Sequence, residues 1–228
     1  MKSFKKDIRA LSKEDLMTFF TNHSCKAFRG KQVYEWLWKK GVHRFEDMTN
    51  ISKYNRELLE ESFIINHIQV HNMQRSSDGT IKNAVRLHDG LIVESVLIPS
   101  ANRTTACVSS QVGCSLDCKF CATSRLKRMR NLNSDEIYDQ VMAINKQSRL
   151  YYNKKLTNIV FMGMGEPFHN YDQVMTALEI LTDDYGFNFS QRRITVSTSG
   201  LVPQIRRFGQ ERVKANLAIS LNLSLIHI

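Results

Sequence analysis

The sequence predicts an α/β protein whose C-terminal half is a parallel sheet, preceded by a helical domain and a small β region. Three patterns lead there. Between residues 12 and 63 apolar side chains recur at helical spacing; from Ile68 to Ser109 short β-branched runs are broken by turn sequences; beyond Thr104 strands and helices alternate. The expected divisions are 1–64 (helical), 65–102 (a small β linker) and 103–228 (the α/β core).

Ser12 opens the first helix, KEDLMTFF, with Asp15 three places on as a capping box built from a shorter acid, and Leu16, Phe19 and Phe20 fall on one face. Phe28, Val33, Trp36 and Leu37 mark a second helix stopped at Gly41, and Tyr54 to Phe63 a third. These apolar positions read as core because of their spacing. Arg29, Lys31, Lys39, Lys40 and Arg44 surround the second helix, on faces open to phosphate or to water. IQVHNMQ, TIKNAVRLHDG and LIVESVLIP then make a small sheet or hairpin ribbon, turning at SSDG and HDG. Glu94 sits in the third run among Ile92, Val93, Val96 and Leu97. Facing inward, such a carboxylate has a raised pKa; alternation can equally put it in solvent.

The α/β series begins with the strand TACVSSQ, which leads into a cysteine loop. It continues with the helix NSDEIYDQVMAINKQ, opened by Asn133 or Ser134, the buried strand TNIVFMGM and the helix DQVMTALEILTDDYG. The strand RRITVSTSG, the short helix LVPQIRRFGQE and the strand in VKANLAISLN follow, so four strands of one parallel sheet are expected. Ligands of such sheets bind at the carboxyl ends of the strands. The cysteine loop, GMGEP, Ser197 and the segment from Ser220 to Asn222 all fall there.

Composition bounds the function. With 228 residues, 42% hydrophobic and 24% charged, the chain is globular in character, enough for one large domain or two modest ones. A formal charge of +10 points to a polyanionic partner, nucleic acid above all. Arg125, Lys127, Arg128 and Arg130 are the local candidates for phosphate contact. No apolar run reaches the roughly 18 residues of a membrane span. The N-terminus lacks an uninterrupted apolar stretch, and three of the five cysteines are clustered, which predicts the reducing cytoplasm rather than a disulfide framework.

Those three, Cys114, Cys118 and Cys121, share one loop. Thiolates are soft, charged ligands, and spacings of four and three let a loop wrap them around one centre, as in loops holding iron–sulfur clusters or zinc. A structural zinc site takes four protein ligands, whereas this loop supplies three and no neighbouring histidine. A four-iron cube on three thiolates leaves one iron open to a small molecule. The spacing leaves open such a cube, zinc with a distant fourth ligand such as Cys107, and unliganded buried thiols.

A second motif carries a resemblance. CxxxCxxC followed by GMGEP at Gly163–Pro167 resembles the paired signatures of the radical S-adenosylmethionine (SAM) superfamily, the second of which binds the amino group of SAM. Longer segments resemble the RlmN family of bacterial dual-specificity 23S rRNA and tRNA adenine-C2 methyltransferases. They are AFRGKQVYEWLWKKGVHRFEDMTNISK, LIVESVLIPSANRTTACVSSQVGCSLDCKFCATS, NIVFMGMGEP, RRITVSTSGLVPQIRRFG and LAISLN, from about Ala27 to Asn222. The resemblance implies a partial (β/α)6 radical SAM barrel, about four of six strands present, behind an N-terminal helical domain that binds RNA.

By position, the resemblance implies that Cys114, Cys118 and Cys121 hold a 4Fe-4S cluster whose fourth iron chelates SAM. It implies that Gly165, Glu166 and Ser197 contact SAM, and that Ser220, Leu221 and Asn222 match a family SLH segment, with Asn in place of His. Both side chains hydrogen-bond through nitrogen, so the contact is expected to survive. Glu94 matches a glutamate assigned as proton acceptor. The family methylates one of its own cysteines with one SAM, because adenine C2 is not nucleophilic enough for direct attack. An electron from the cluster splits a second SAM to a deoxyadenosyl radical, which takes hydrogen from that methyl, and the carbon radical adds to C2. A base removes the ring proton and a second cysteine releases the product; the cofactor does the hard chemistry and the protein supplies orientation.

The sequence departs from the family in one respect. None of Cys25, Cys107 or the clustered cysteines matches the methyl-carrying cysteine; Cys107 matches instead a cysteine upstream of the cluster that can form a disulfide with the carrier. LSLIHI does not continue the family pattern, so these residues are expected to be a truncated, inactive form. Rival readings are an adenine-C8 methyltransferase of the same superfamily and a non-catalytic RNA-binding protein with a structural metal. A ferredoxin has four thiolates and no use for GMGEP. The implied partners are 23S rRNA, tRNA and an electron donor such as flavodoxin, met by a monomer away from membranes. Flipping an adenine into the pocket would take contacts spread over the basic N-terminal domain.

Overall fold

The computed structural model describes residues 5–116, 118–211 and 213–221, so Asn222 and the closing LSLIHI lie outside the described residues. The chain divides into two compact units, 1–67 with 179–189 and 68–178 with 190–228.

The first unit holds β1 (Lys6–Asp7), α1 (Lys13–Asn22), α2 (Phe28–Trp38), α3 (Lys53–Ser62) and β2 (Phe63–Ile64), with β1 and β2 pairing in parallel. The capping box forms as expected: Ser12 Oγ accepts from the Asp15 N–H and the Asp15 carboxylate from the Ser12 N–H, both at 3.0 Å. Leu16, Phe20, Val33, Leu37 and Trp38 are buried. Trp36 and Phe28, expected in the core, are not: the buried stripe runs through residues 33, 34, 37 and 38, and Phe28 is exposed. Trp36 instead directs its indole N–H to the Asn50 side chain.

The second unit is built on one seven-stranded sheet. Its strands are β3 (Gln69–Arg75), β4 (Ile81–Arg86), β5 (Ile92–Pro99), β6 (Thr104–Cys107), β9 (Asn158–Phe161), β10 (Ile194–Thr198) and β11 (Asn216–Ile219), in the spatial order 3-4-5-6-9-10-11. Between them come β7 (Gln111–Val112) and β8 (Arg130–Asn131), which pair with each other, and the helices α4 (Ser134–Tyr152), α5 (Tyr171–Thr182), whose residues from Glu179 on belong to the first unit, and α6 (Val202–Gln210). The four expected strands β6, β9, β10 and β11 are parallel. The separate β linker expected at 65–102 is instead the antiparallel flank of this sheet: β5 pairs with β6 directly, Val96 opposite Cys107.

A parallel order that advances one place per crossover, each crossover right-handed, puts the connecting helices on one face. Burial follows that rule. Val93, Ser95 and Leu97 of β5 are buried while Glu94 and Ile98, on the other face, are exposed. Among the described residues no helix is long and apolar enough to cross a membrane.

Candidate functional site

A cleft of about 440 Å³ opens at the carboxyl ends of β6, β9, β10 and β11, within the range of small-molecule and cofactor sites. It is lined by Cys114, Cys118 and Cys121, by Gly165 and Glu166, and by Ser197 and Ser220. Seven of the residues singled out in the sequence therefore meet in one place.

The turn after β9 is the most firmly held part. Gly163 donates to the Val108 carbonyl at 3.0 Å, Ser110 donates to the Met164 carbonyl at 2.9 Å, and the Gln111 side chain accepts from the Glu166 N–H at 2.9 Å. Gly165 has φ +92, and a Cβ there would come within 2.4 Å of the Gln111 Cβ, so the motif needs glycine at this position. Glu166 is buried, and its two carboxylate oxygens accept from the N–H groups of Phe168 at 2.9 Å and Ser199 at 2.8 Å. It thereby ties the GMGEP turn to the STSG turn after β10. The Ser197 and Ser220 hydroxyls share a hydrogen bond of 3.2 Å.

The cysteine loop is held mainly at its base, where β7 pairs with β8. Arg130 closes that base: its guanidinium forks onto Glu136, with both contacts at 2.8 Å, and reaches Asp89 at 2.7 Å. Glu136 is buried at the first turn of α4, so Arg130, a phosphate candidate in the sequence, is committed to the fold. Asp89 is correspondingly held below its ordinary carboxylate pKa: burial pushes it up, and hydrogen bonds from Arg130 and the Leu91 N–H outweigh that. Within the loop, Ser124 Oγ donates to the carbonyls of Cys118 and Cys121 at 2.8 and 2.7 Å, and Cys114 Sγ accepts from the Leu116 N–H at 3.4 Å.

Among the described residues no three Cys, His, Asp or Glu side chains stand close enough together to hold a metal ion as they are. The donor set fits an iron–sulfur cluster nonetheless, with three soft thiols on one loop and the same cleft wall. Zinc with Cys107 as fourth ligand does not fit. Cys107 is buried in β6, away from the lining of the cleft, and burial raises its pKa against the opposing hydrogen bond from Met162. None of the five cysteines is disulfide-bonded, so the disulfide that the resemblance allows Cys107 does not form within this chain.

Two sequence candidates lie outside the cleft lining, and a third cannot be placed. Leu221 is 71% exposed, and Asn222 falls outside the described residues. Glu94 points to the open face of the sheet, neither desolvated nor alone: Lys82 Nζ lies 2.7 Å from its carboxylate. Its backbone is nonetheless joined to the cleft, because Ser109 Oγ donates to the Glu94 carbonyl at 2.5 Å and accepts from the Met164 N–H at 2.8 Å. Sequence reasoning missed Ser109, Gln111 and the Arg130–Glu136 pair. The only signal was SSQ, the polar end of the expected strand TACVSSQ, whose three residues are all buried.

Comparison with known proteins bears on the same residues. The family model described as the radical SAM superfamily matches residues 108–225, and that of the ribosomal RNA large subunit methyltransferase N-terminal domain matches residues 6–65. The chain is 64% identical over 221 residues to a probable dual-specificity RNA methyltransferase RlmN of Flavobacterium johnsoniae, covering 97% of this chain and 63% of that protein. It is 64% identical over 224 residues to the equally named protein of Flavobacterium psychrophilum, covering 98% and 65%. In structure it is similar to a radical SAM methyltransferase from Sphaerobacter thermophilus, with a TM-score of 0.86 and 38% identity over 95% of this chain and 63% of the other. The chain thus spans less than two thirds of the length of these relatives.

Proposed function

The chain belongs to the radical SAM superfamily, and on that premise we propose that it is the SAM-binding core of an enzyme that methylates C2 of adenine in 23S rRNA and in tRNA. The observation that carries this reading is the meeting of three loop thiols, the GMGEP turn and the strand-end serines in one cleft. When bound, the 4Fe-4S cluster and SAM supply one-electron chemistry that no side chain here performs.

The remaining tasks fall to the chain. Cys114, Cys118 and Cys121 would hold the cluster, three thiolates in place of the usual four, so that it stays open to SAM. Gly165 lets backbone polar groups approach SAM, and the Glu166 oxygens keep lone pairs for its ammonium beside the two N–H groups they already accept. Ser197 and Ser220 offer hydroxyls from the far wall. Glu94 accepts the proton from C2. Its place on the open face, joined through Ser109 to the GMGEP turn, supports that role. Cys107 shares Glu94's face of the sheet, through the Val96–Cys107 pairing, and its protonated thiol would serve in product release only after a base takes the proton. The helical first unit and the net charge of +10 suit an RNA substrate, and a flavodoxin-like donor would supply the electron.

None of the five cysteines matches the methyl carrier, so these 228 residues are expected to bind SAM without methylating RNA. The test is anaerobic reconstitution with iron and sulfide, followed by electron paramagnetic resonance of the reduced protein. We expect a four-iron signal that changes when SAM is added. Failure to assemble a cluster, or zinc bound by four ligands, would overturn the reading.

A further inference from the structure

The basic run after the cysteine loop has no part in the cleft. Arg125, Leu126, Lys127, Arg128 and Met129 are five consecutive exposed residues, with Leu126 at 52% and Met129 at 58%. The segment packs against Gly113, next in the chain to Cys114. A Cβ on the neighbouring Gly113 would come within 2.4 Å of the Lys127 carbonyl and 3.0 Å of the Arg128 Cα, and Met129 donates to the Val112 carbonyl at 2.8 Å. Arg128 bonds to the neutral side chain of Asn131, and among the described residues no carboxylate lies in ion-pair range of Arg125, Lys127 or Arg128.

We propose that this strip is where a small acidic, flavin-bearing electron carrier docks to reduce the cluster. The proposal rests on the cluster reading above and adds the surface that serves it. Phosphate backbones take up charge and hydrogen bonds and give nothing to exposed Leu or Met side chains. Apolar residues set among unpaired cations suit a protein of opposite charge. Encounters between electron-transfer proteins bury little surface, under about 1,200 Å², so a strip of this size suffices. Electron tunnelling decays steeply with distance, which favours a surface packed beside Cys114. One electron leaves the carrier's reduced flavin and arrives on the cluster, and no bond forms.

The test uses the 228-residue chain, with a bacterial flavodoxin as probe. Binding of oxidised flavodoxin is measured for the parent, for Arg125→Glu/Lys127→Glu and for Leu126→Ser/Met129→Ser, alongside binding of a tRNA. Cluster reduction by reduced flavodoxin and by dithionite is followed by absorbance. Charge reversal is expected to weaken flavodoxin binding by about tenfold or more at low salt, a difference that shrinks as salt rises. The apolar variant is expected to weaken it by about tenfold as well, at all salt concentrations. Both variants should slow reduction by flavodoxin while leaving reduction by dithionite and tRNA binding unchanged. Loss of tRNA binding with flavodoxin affinity intact would make the strip an RNA contact and overturn the proposal, as would variants that bind flavodoxin like the parent. If the parent assembles no cluster, the functional reading fails, while oxidised-flavodoxin binding still decides the docking surface.

Discussion

The GMGEP turn and the cysteine loop form two walls of one cleft and are built in opposite ways. In the turn, Met164 and Glu166 are buried and their backbone groups are bonded to residues 109–111. The loop's thiols are partly exposed, and its main anchor is the short β7–β8 pairing locked by Arg130. One wall is fixed by buried hydrogen bonds, while the other presents its thiols, partly exposed, to the cleft.

Cutting the loop's anchor should have the largest effect. Arg130→Ala takes the guanidinium from the buried Glu136 carboxylate and leaves it the Asn133 N–H and His88, and we expect a loss of about 3 kcal/mol in chemical denaturation, together with reduced iron uptake. Gly165→Ala attacks the fixed wall. With φ +92 and Gln111 in the way, a cost of about 2 kcal/mol is expected, and calorimetry should show weaker SAM binding to the reconstituted protein.

Acid should loosen the base of the loop more gently. Asp89 has a depressed folded pKa, so its contribution is complete above the ordinary carboxylate value of about 4 and is lost as pH falls through the lower folded value. Hydrogen exchange at Val112 and Arg130 should therefore show base opening constant between about pH 5 and 8 and rising below about pH 4. The smallest effect on folding is expected from Cys121→Ser, within about 0.5 kcal/mol, although bound iron should fall to background. A large loss of apo stability in that variant would mean that the loop is as fixed as the turn.

Much of this molecule was legible in residue order. Helical spacing placed α1 to α3, the Ser12 box set the start of α1, and the alternation of strands and helices predicted four parallel strands. Periodicity failed where two nearby aromatics competed for one face: Trp36 was expected in the core, and Trp38 occupies it. It failed also at Arg130, because a run of cations looks the same whether its members meet solvent or a buried carboxylate 2.8 Å away.

By itself, then, the sequence determined which candidate ligands exist and at which strand ends they fall, since cysteine spacing and the βα order are local properties of the chain. Only the tertiary structure decided that residues 65–102 flank the same sheet, that Glu94 faces the open side with Lys82, and that Ser109 joins it to the GMGEP turn. Strand order, facing and the satisfaction of buried hydrogen bonds depend on residues brought together from distant parts of the chain, and no local pattern encodes them.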